Sequence, residues 1–137
     1  MSYLLDTNVI SEARKPGGNE GVKRWLASAR GDELYLSVLV LGEVRQGVER
    51  LRRRDPARAN VYDAWLTRLS QDYADRLLPI TLAVAEEWGR LNSLRPLPVI
   101  DSLLAATARV HSLTLVTRNT SDFTGTGVNL LNPFLES

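Results

Sequence analysis

Four carboxylates spread along the chain are the residues whose chemistry needs an explanation. Asp6 follows a short apolar run, Asp101 precedes an alanine-rich segment and Asp122 lies in a polar loop. Glu43 lies within the apolar segment VLVLGEV, where a lone buried carboxylate would be costly. Because like charges raise each other's pKa and oppose folding, converging carboxylates are stable around a cation. With only oxygen ligands and no cysteine, the predicted ion is Mg²⁺ or Mn²⁺ and not Zn²⁺.

Such a site predicts hydrolysis of a phosphodiester. A metal ion lowers the pKa of a bound water, and a carboxylate that does not hold the metal can orient that water. Local alternatives exist for each aspartate, because Asp6 and Asp101 have the type and position of helix N-caps and Asp122 that of a turn residue. Asp55, followed by Pro56, is fully explained as a cap and receives no catalytic role.

The elements that must position these residues alternate between short apolar strands and amphipathic helices. Strands are predicted over 3–5, 34–36, 77–80, 113–117 and 128–131, with two helices in each of the first three connections. The predicted helix N-caps include Asn19, Ser37, Asp55 and Thr81, and a helix is expected to begin at Asp101. After Ser37, the expected buried stripe consists of Val38, Leu41, Val44, Val48 and Leu51.

This order of elements predicts an α/β fold with a parallel sheet of about five strands and helices on both faces. Ligands of such sheets gather at the carboxyl ends of the strands, where the strand order reverses. Asp6, Asn119 and Asp122 follow predicted strands, and Glu43 lies about one and a half helical turns after Ser37. Asp101 joins them if the link containing Pro96 and Pro98 brings its helix to the same edge.

Composition limits the class of protein. The chain has 137 residues, 44% of them hydrophobic and 24% charged, which predicts one globular domain over 1–137. The absence of cysteine excludes disulfides and is compatible with a reducing cytoplasm. We expect neither export nor a membrane span, because no leader pattern precedes the first strand and the longest uncharged apolar run is too short.

Arginines are unevenly distributed although the net charge is only +1. Between positions 45 and 58, six arginines face only Glu49 and Asp55. The cluster predicts either contacts with phosphates or a solvated helix face and turn. Trp25, Trp65 and Trp88 occur in helices near apolar partners, which suggests core packing and not base stacking. The single histidine, His111, is expected to be a surface or helix-end residue.

The motifs together resemble a known family. The segments LLDTNVISE, LSVLVLGEVRQGVERL and LPVIDSLLAATARVHSLTLVTRNTSDF, in this order, are similar to those of the PIN-domain ribonucleases. The resemblance is closest to the VapC and FitB-like toxins of bacterial type II toxin–antitoxin pairs. It implies that Asp6, Glu43, Asp101 and Asp122 are the acidic site residues and metal ligands. Thr7 is then expected to support the site, and Asn8 and Thr117 to hold the ligands in place.

The same resemblance implies an activity and partners. We expect a cytoplasmic, Mg²⁺- or Mn²⁺-dependent endoribonuclease that forms a homodimer and acts as a toxin. A cognate antitoxin, similar to VapB, is expected to place a segment in the acidic groove. Many family members carry an acidic residue where this chain has Asn119, whose amide adds no charge but can orient a water or a carboxylate. With this resemblance, the arginines between positions 45 and 58 are expected to contact RNA or the dimer partner.

Other acidic Mg²⁺ sites fit the sequence less well. A phosphatase of the haloacid dehalogenase type needs a second acidic residue where Asn8 stands, and also a late lysine. A receiver domain needs an adjacent acidic pair and a late lysine, but no lysine follows Lys23. The remaining alternative is a catalytically inactive PIN-like module that binds nucleic acid or protein.

Overall fold

Five short parallel strands form the sheet around which the chain folds. The computed structural model describes residues 1–134, so the last three residues of the predicted 1–137 domain lie outside the described part. The strands are β1 (Tyr3–Leu5), β2 (Leu34–Ser37), β3 (Leu77–Leu78), β4 (Thr114–Val116) and β5 (Leu130–Leu131). Their order is β3-β2-β1-β4-β5, and every neighbouring pair is parallel. The predicted parallel α/β sheet is therefore confirmed.

Six helices connect the strands. They are α1 (Thr7–Arg14), α2 (Glu20–Ser28), α3 (Val38–Arg52), α4 (Pro56–Asp72), α5 (Leu82–Leu94) and α6 (Val99–Val110). The first two crossovers step from β1 to β2 and on to β3, whereas the third returns to β4 on the other side of β1. Right-handed crossovers in opposite directions place their helices on opposite faces of the sheet. The strand order thus reverses between β1 and β4.

The N-caps that polar side chains predict are present. The side chain of Asn19 accepts hydrogen bonds from two amides of α2, and Ser37, Asp55 and Thr81 each accept one in α3, α4 and α5. β3 is shorter than predicted because Pro79 follows it and has no N–H to donate to a neighbouring strand.

The beginning of α6 differs from the prediction. The helix begins at Val99, with Pro98 at the N-cap, so the expectation that Asp101 begins and caps this helix is wrong. The Pro98 carbonyl accepts the first helical hydrogen bond from the Ser102 amide at 2.9 Å. Asp101 is instead the third helical residue, and its carboxylate is not used by a cap.

The hydrophobic core lies between the sheet and the helices that cover it. The strand residues Leu4, Leu5, Leu36, Leu115 and Val116 are fully buried. No described helix is long and apolar enough to cross a bilayer.

The predicted buried stripe of α3 is partly wrong. Val38 is 38% exposed, whereas Val40 is fully buried in the main core. Val48 and Leu51 form a second, smaller cluster with Ala59 of α4. The stripe shifts along α3 because the first turns of this helix pack on the sheet, whereas its later turns pack on α4.

Candidate active site

Asp6 lies where the strand order reverses. It follows β1 directly, its side chain is buried, and its amide donates a hydrogen bond to the Val116 carbonyl of β4 at 3.0 Å. The backbone of the two central strands therefore fixes the position of Asp6, at the edge of the sheet where ligands are expected.

Both carboxylate oxygens of Asp6 are held. Oδ1 accepts from the Thr7 amide at 2.7 Å, so Asp6 caps α1. Oδ2 accepts from the Thr117 hydroxyl at 2.8 Å and from the Asn8 amide group at 3.4 Å. The same carboxylate therefore caps α1 and belongs to the candidate site. Thr7, Asn8 and Thr117 set its orientation.

Thr7 connects Asp6 to Glu43. Its hydroxyl donates to Oε1 of Glu43 at 2.5 Å, across 36 positions of sequence. Glu43 is half-buried, and its position in the first half of α3 follows from the Ser37 cap that begins this helix. The carboxylate predicted to be costly if alone therefore has a partner, and it faces the same region as Asp6.

The pKa values of the aspartates show that the charges act on each other. Burial raises the pKa of Asp101 above its ordinary value, and the charges of Asp6, Glu43 and Asp122 raise it further. Burial also raises the pKa of Asp6, although hydrogen bonds from Thr117 and Thr7 oppose that rise, and Glu43 adds to it. Asp101 therefore lies within electrostatic range of the other three predicted carboxylates.

The fit to a metal ion rests on the type of donor. The four side chains supply only oxygen atoms and combined negative charge, as Mg²⁺ or Mn²⁺ prefers. Within residues 1–134, however, no three acidic, histidine or cysteine side chains stand close enough together to hold an ion. The carboxylates interact electrostatically, but they do not form a complete set of metal ligands.

Asn119 and Asp122 lie in the segment after β4. The amide of Asn119 donates to the Thr117 hydroxyl at 3.1 Å, and its carbonyl accepts from the Asp122 amide at 3.0 Å. Both side chains are exposed. The backbone of Asn119 thus joins the Asp6 network to the short turn (Thr120–Phe123) that carries Asp122.

Arg95 is a positioning residue that the sequence did not indicate. It follows α5, and its guanidinium donates to the carbonyls of Asp122 and Thr124 at 2.5 and 2.8 Å. This contact ties the link between α5 and α6 to the turn that carries Asp122. No spacing or motif connects Arg95 with a loop 27 residues away, so only the tertiary structure shows this contact.

A cavity of about 320 Å³ adjoins the acidic residues. Thr7 and Glu43 lie in its lining, together with residues of α1, α3 and α4. The members that sequence reasoning missed are Ser11, Arg14, Gly47, Tyr62 and, as a cavity residue, Trp65. Helical spacing contained the signal, because Ser11 and Arg14 follow Thr7 by four and seven positions on one face of α1.

The other predicted side chains lie as follows. Trp25, Trp65 and Trp88 all pack against the main core, as predicted. His111 is exposed at the end of α6, which confirms a surface position.

Known proteins match nearly the whole chain. The model of the PIN domain family matches residues 3–127. The chain is 37% identical to Toxin FitB of Neisseria gonorrhoeae (strain ATCC 700825 / FA 1090), over 96% of this chain and 97% of that protein. The crystal structure of FitAcB from Neisseria gonorrhoeae superposes with a TM-score of 0.88 at 36% identity, covering 96% of this chain and 97% of that one.

Two further proteins extend the likeness. VapC ribonuclease Y4jK of Sinorhizobium fredii (strain NBRC 101917 / NGR234) is 31% identical over 96% of both chains. A toxin–antitoxin complex from Klebsiella pneumoniae superposes with a TM-score of 0.72 at 25% identity, over 97% of this chain and 98% of that chain. These matches confirm the resemblance that the motifs indicated, and the chain belongs to the PIN domain family.

Proposed function

We propose that this chain is a metal-dependent endoribonuclease and the toxin of a type II toxin–antitoxin pair. The observation that supports the proposal is the buried Asp6 carboxylate at the β1–β4 junction, linked through Thr7 to Glu43 and within electrostatic range of Asp101. A site with this much negative charge and only oxygen donors suits a divalent cation. The names of two relatives, a VapC ribonuclease and a toxin, support the activity.

In this proposal Asp6, Glu43, Asp101 and Asp122 would hold Mg²⁺ or Mn²⁺. When bound, the cation would supply Lewis-acid chemistry, which would activate a water for attack on an RNA phosphodiester. Thr117 and the Thr7 amide keep the Asp6 carboxylate oriented.

The remaining site residues orient their neighbours. The Thr7 hydroxyl orients Glu43, and the exposed side-chain amide of Asn119 is available to orient a water.

The same proposal includes partners and a compartment. An antitoxin would place an arginine-containing segment among the carboxylates, because a guanidinium is a good partner for clustered carboxylates. A toxin–antitoxin complex among the structural neighbours supports such a partner. We also propose a homodimer that acts in the cytoplasm, where its RNA substrates are found.

The test compares induced expression of the wild type with that of Asp6→Asn and Asp101→Asn. We expect growth arrest and discrete RNA fragments from the wild type alone, and purified variants at least about 100-fold slower with Mg²⁺ or Mn²⁺. Asp75→Asn is a matched control, because the Asp75 side chain is 80% exposed and belongs to no site. Equal growth and intact RNA in all strains would contradict the nuclease proposal.

A catalytically inactive binding module is the second candidate. The observation in its favour is that no three potential ligands within residues 1–134 stand close enough together to hold an ion. It predicts RNA binding without cleavage at any concentration of Mg²⁺ or Mn²⁺, and wild-type behaviour of Asp6→Asn.

A further inference from the structure

Four of the six arginines in the sequence cluster form two pairs with different surroundings. Arg45 and Arg52 form ion pairs with Glu49 and Asp63, at distances of 2.9–3.4 Å. These two arginines are therefore largely neutralised on the surface of α3 and α4. For them, the interpretation as a solvated helix face fits.

Arg54 and Arg58 have no such neutralisation. Both line the cavity beside Thr7 and Glu43, where Arg14 of α1 joins them. Within the described part of the chain, none of these three arginines forms an ion pair with a carboxylate. Their positive charges remain available to a ligand.

Two aromatic rings complete this cavity. The guanidinium of Arg14 lies 4.1 Å from the ring centre of Tyr62 and 5.2 Å from that of Trp65, and Arg58 lies 5.5 Å from Tyr62. Hydrogen bonds from Arg14 and Arg58 lower the pKa of the Tyr62 phenol, and the positive charges of the two arginines add to this effect. The Arg14 Nε is buried and makes no hydrogen bond within residues 1–134.

We propose that Arg14, Arg54, Arg58, Tyr62 and Trp65, the arginine–aromatic cleft, bind a phosphate and an adjoining base of single-stranded RNA beside the bond to be cleaved. This inference rests on the proposed nuclease function and identifies how its substrate is held. Guanidinium groups bind phosphates bidentately, and aromatic rings stack on unpaired bases.

Electrostatics gives a reason for the cleft. The four carboxylates have the same sign of charge as RNA and repel it. Arginines on the adjoining wall would offset that repulsion for the phosphate next to the scissile one. Trp65, predicted as a core residue, then has two roles, because it packs on the core and also lines the cleft.

The cleft continues outward along α4. A neighbouring surface cavity of about 510 Å³ shares Arg14, Arg58, Tyr62 and Trp65 with the cleft and adds Arg68. The basic and aromatic lining therefore extends from the acidic site toward the outer surface, as a path for a single strand requires.

The test measures the binding of a fluorescein-labelled, randomised 12-nucleotide single-stranded RNA to the full chain. EDTA is present, so that cleavage is blocked. Arg54→Gln/Arg58→Gln removes two exposed charges of the cleft, and Arg50→Gln/Arg53→Gln removes two exposed charges outside it. We expect at least tenfold weaker binding for the cleft pair and less than threefold for the control pair. The slope of log affinity against log salt should flatten by about 0.7 for the cleft pair, because the cleft binds one phosphate of a single strand.

Trp65 provides a second readout. RNA should quench the fluorescence of the wild type, and Trp65→Phe should remove most of that quenching while Trp25 and Trp88 remain. Arg14→Gln is expected to weaken binding as well, and a thermal melt of this variant distinguishes loss of contact from loss of fold. Quenching that persists in Trp65→Phe would contradict base stacking in the cleft.

The outcomes separate the cleft from the nuclease. Equal losses for the two double variants, or no binding by the wild type, would overturn the cleft even if Mg²⁺-dependent cleavage is found. Cleft-dependent binding without any cleavage would support the cleft and contradict the nuclease. If only a labelled polyglutamate peptide depends on Arg54 and Arg58, the cleft is a protein-docking surface and the RNA proposal is wrong.

Discussion

At the scale of single residues, Thr117 is the main support of the central carboxylate. Its fully buried hydroxyl donates to Asp6 and accepts from Asn8 and from the Asn119 amide. One hydroxyl thus links the ends of β1 and β4 to the loop that leads to Asp122.

We predict that Thr117→Val lowers the free energy of unfolding by about 1–3 kcal/mol, because a buried acceptor on Asp6 loses its best donor. RNA cleavage should fall by about 10- to 100-fold, as is typical when a supporting partner of a metal ligand is removed. Urea unfolding and a cleavage assay measure both effects. Thr114→Val, on the same strand, is the control, because the Thr114 hydroxyl makes no hydrogen bond within the described residues. An equal loss in both variants would assign Thr117 to packing alone.

Asp101 makes stability depend on pH in a defined direction. Burial raises its pKa, and so do Asp6, Glu43 and Asp122, so the folded state holds the Asp101 proton more tightly than the unfolded state does. This group therefore contributes to a fall in stability as the pH rises from the ordinary value through the raised pKa. In EDTA at pH 7, Asp101→Asn should melt at a higher temperature than the wild type.

The advantage of Asp101→Asn should disappear below the ordinary pKa of an aspartate, where the wild-type carboxyl is also neutral. Mg²⁺ should stabilise the wild type more than the variant. Thermal melts at both pH values, with and without Mg²⁺, provide the measurement. A variant that is less stable than the wild type at pH 7 in EDTA would contradict this account of the charges.

At the scale of elements, Gly127 allows the loop before β5 to adopt left-handed backbone. Its φ of 77° lies in the left-handed region, and an added Cβ would stand 2.3 Å from Nη1 of Arg109. Arg109 is itself fixed by Glu87, at 3.0 Å, and by the Thr126 carbonyl, at 2.9 Å. A side chain at position 127 would therefore have to adopt left-handed backbone and displace the Arg109 guanidinium.

We predict that Gly127→Ala lowers the free energy of unfolding by at least about 1–2 kcal/mol, which is the typical cost of left-handed backbone for an L residue. Gly89→Ala is the control, because Gly89 lies in α5 with nothing within 4 Å of an added Cβ. That change should stabilise the helix by about 0.5–1 kcal/mol. Chemical denaturation of both variants tests the contrast, and equal effects would show that position 127 is not restricted.

Residue type and spacing predicted the start of a helix well wherever a side chain at that position caps it. Asn19, Ser37 and Thr81 cap their helices through their own side chains, so residue type and spacing were sufficient. The start of α6 was missed because Pro98 begins it through a backbone carbonyl, and Asp101 has the residue type of a cap. The shift from Val38 to Val40 depends on which face of α3 meets the sheet, which is a tertiary property.

The candidate site shows the same division. Strand ends alone predicted Asp6 and Asp122 at one sheet edge, and the helical distance from Ser37 predicted Glu43 near them. Arg95 could not be predicted, because its contacts are with backbone carbonyls, which carry no sequence identity. The cleft was missed because it needs the faces of α1, α3 and α4 to meet.

At the scale of the whole molecule, three helices each contribute a tryptophan that can serve as a probe of one core. Trp25 of α2, Trp65 of α4 and Trp88 of α5 all pack against the same hydrophobic cluster. We predict that tryptophan fluorescence and circular dichroism at 222 nm follow a single, coincident urea transition, as a one-domain chain of this size requires. Two separated transitions would contradict the one-domain prediction over 1–137.

The order of the sheet also determines when the site can exist during synthesis. β1 lies at the centre, but its partner β4 and the turn that carries Asp122 are translated more than a hundred residues later. At roughly 5–20 residues per second, the ribosome needs on the order of 6–24 s to pass from Asp6 to Asp122. During that interval a nascent chain carries Asp6 without Thr117 and Asp122. A stalled or truncated product that ends before β4 therefore lacks the assembled acidic site, and we expect such incomplete chains to have none of the proposed nuclease activity.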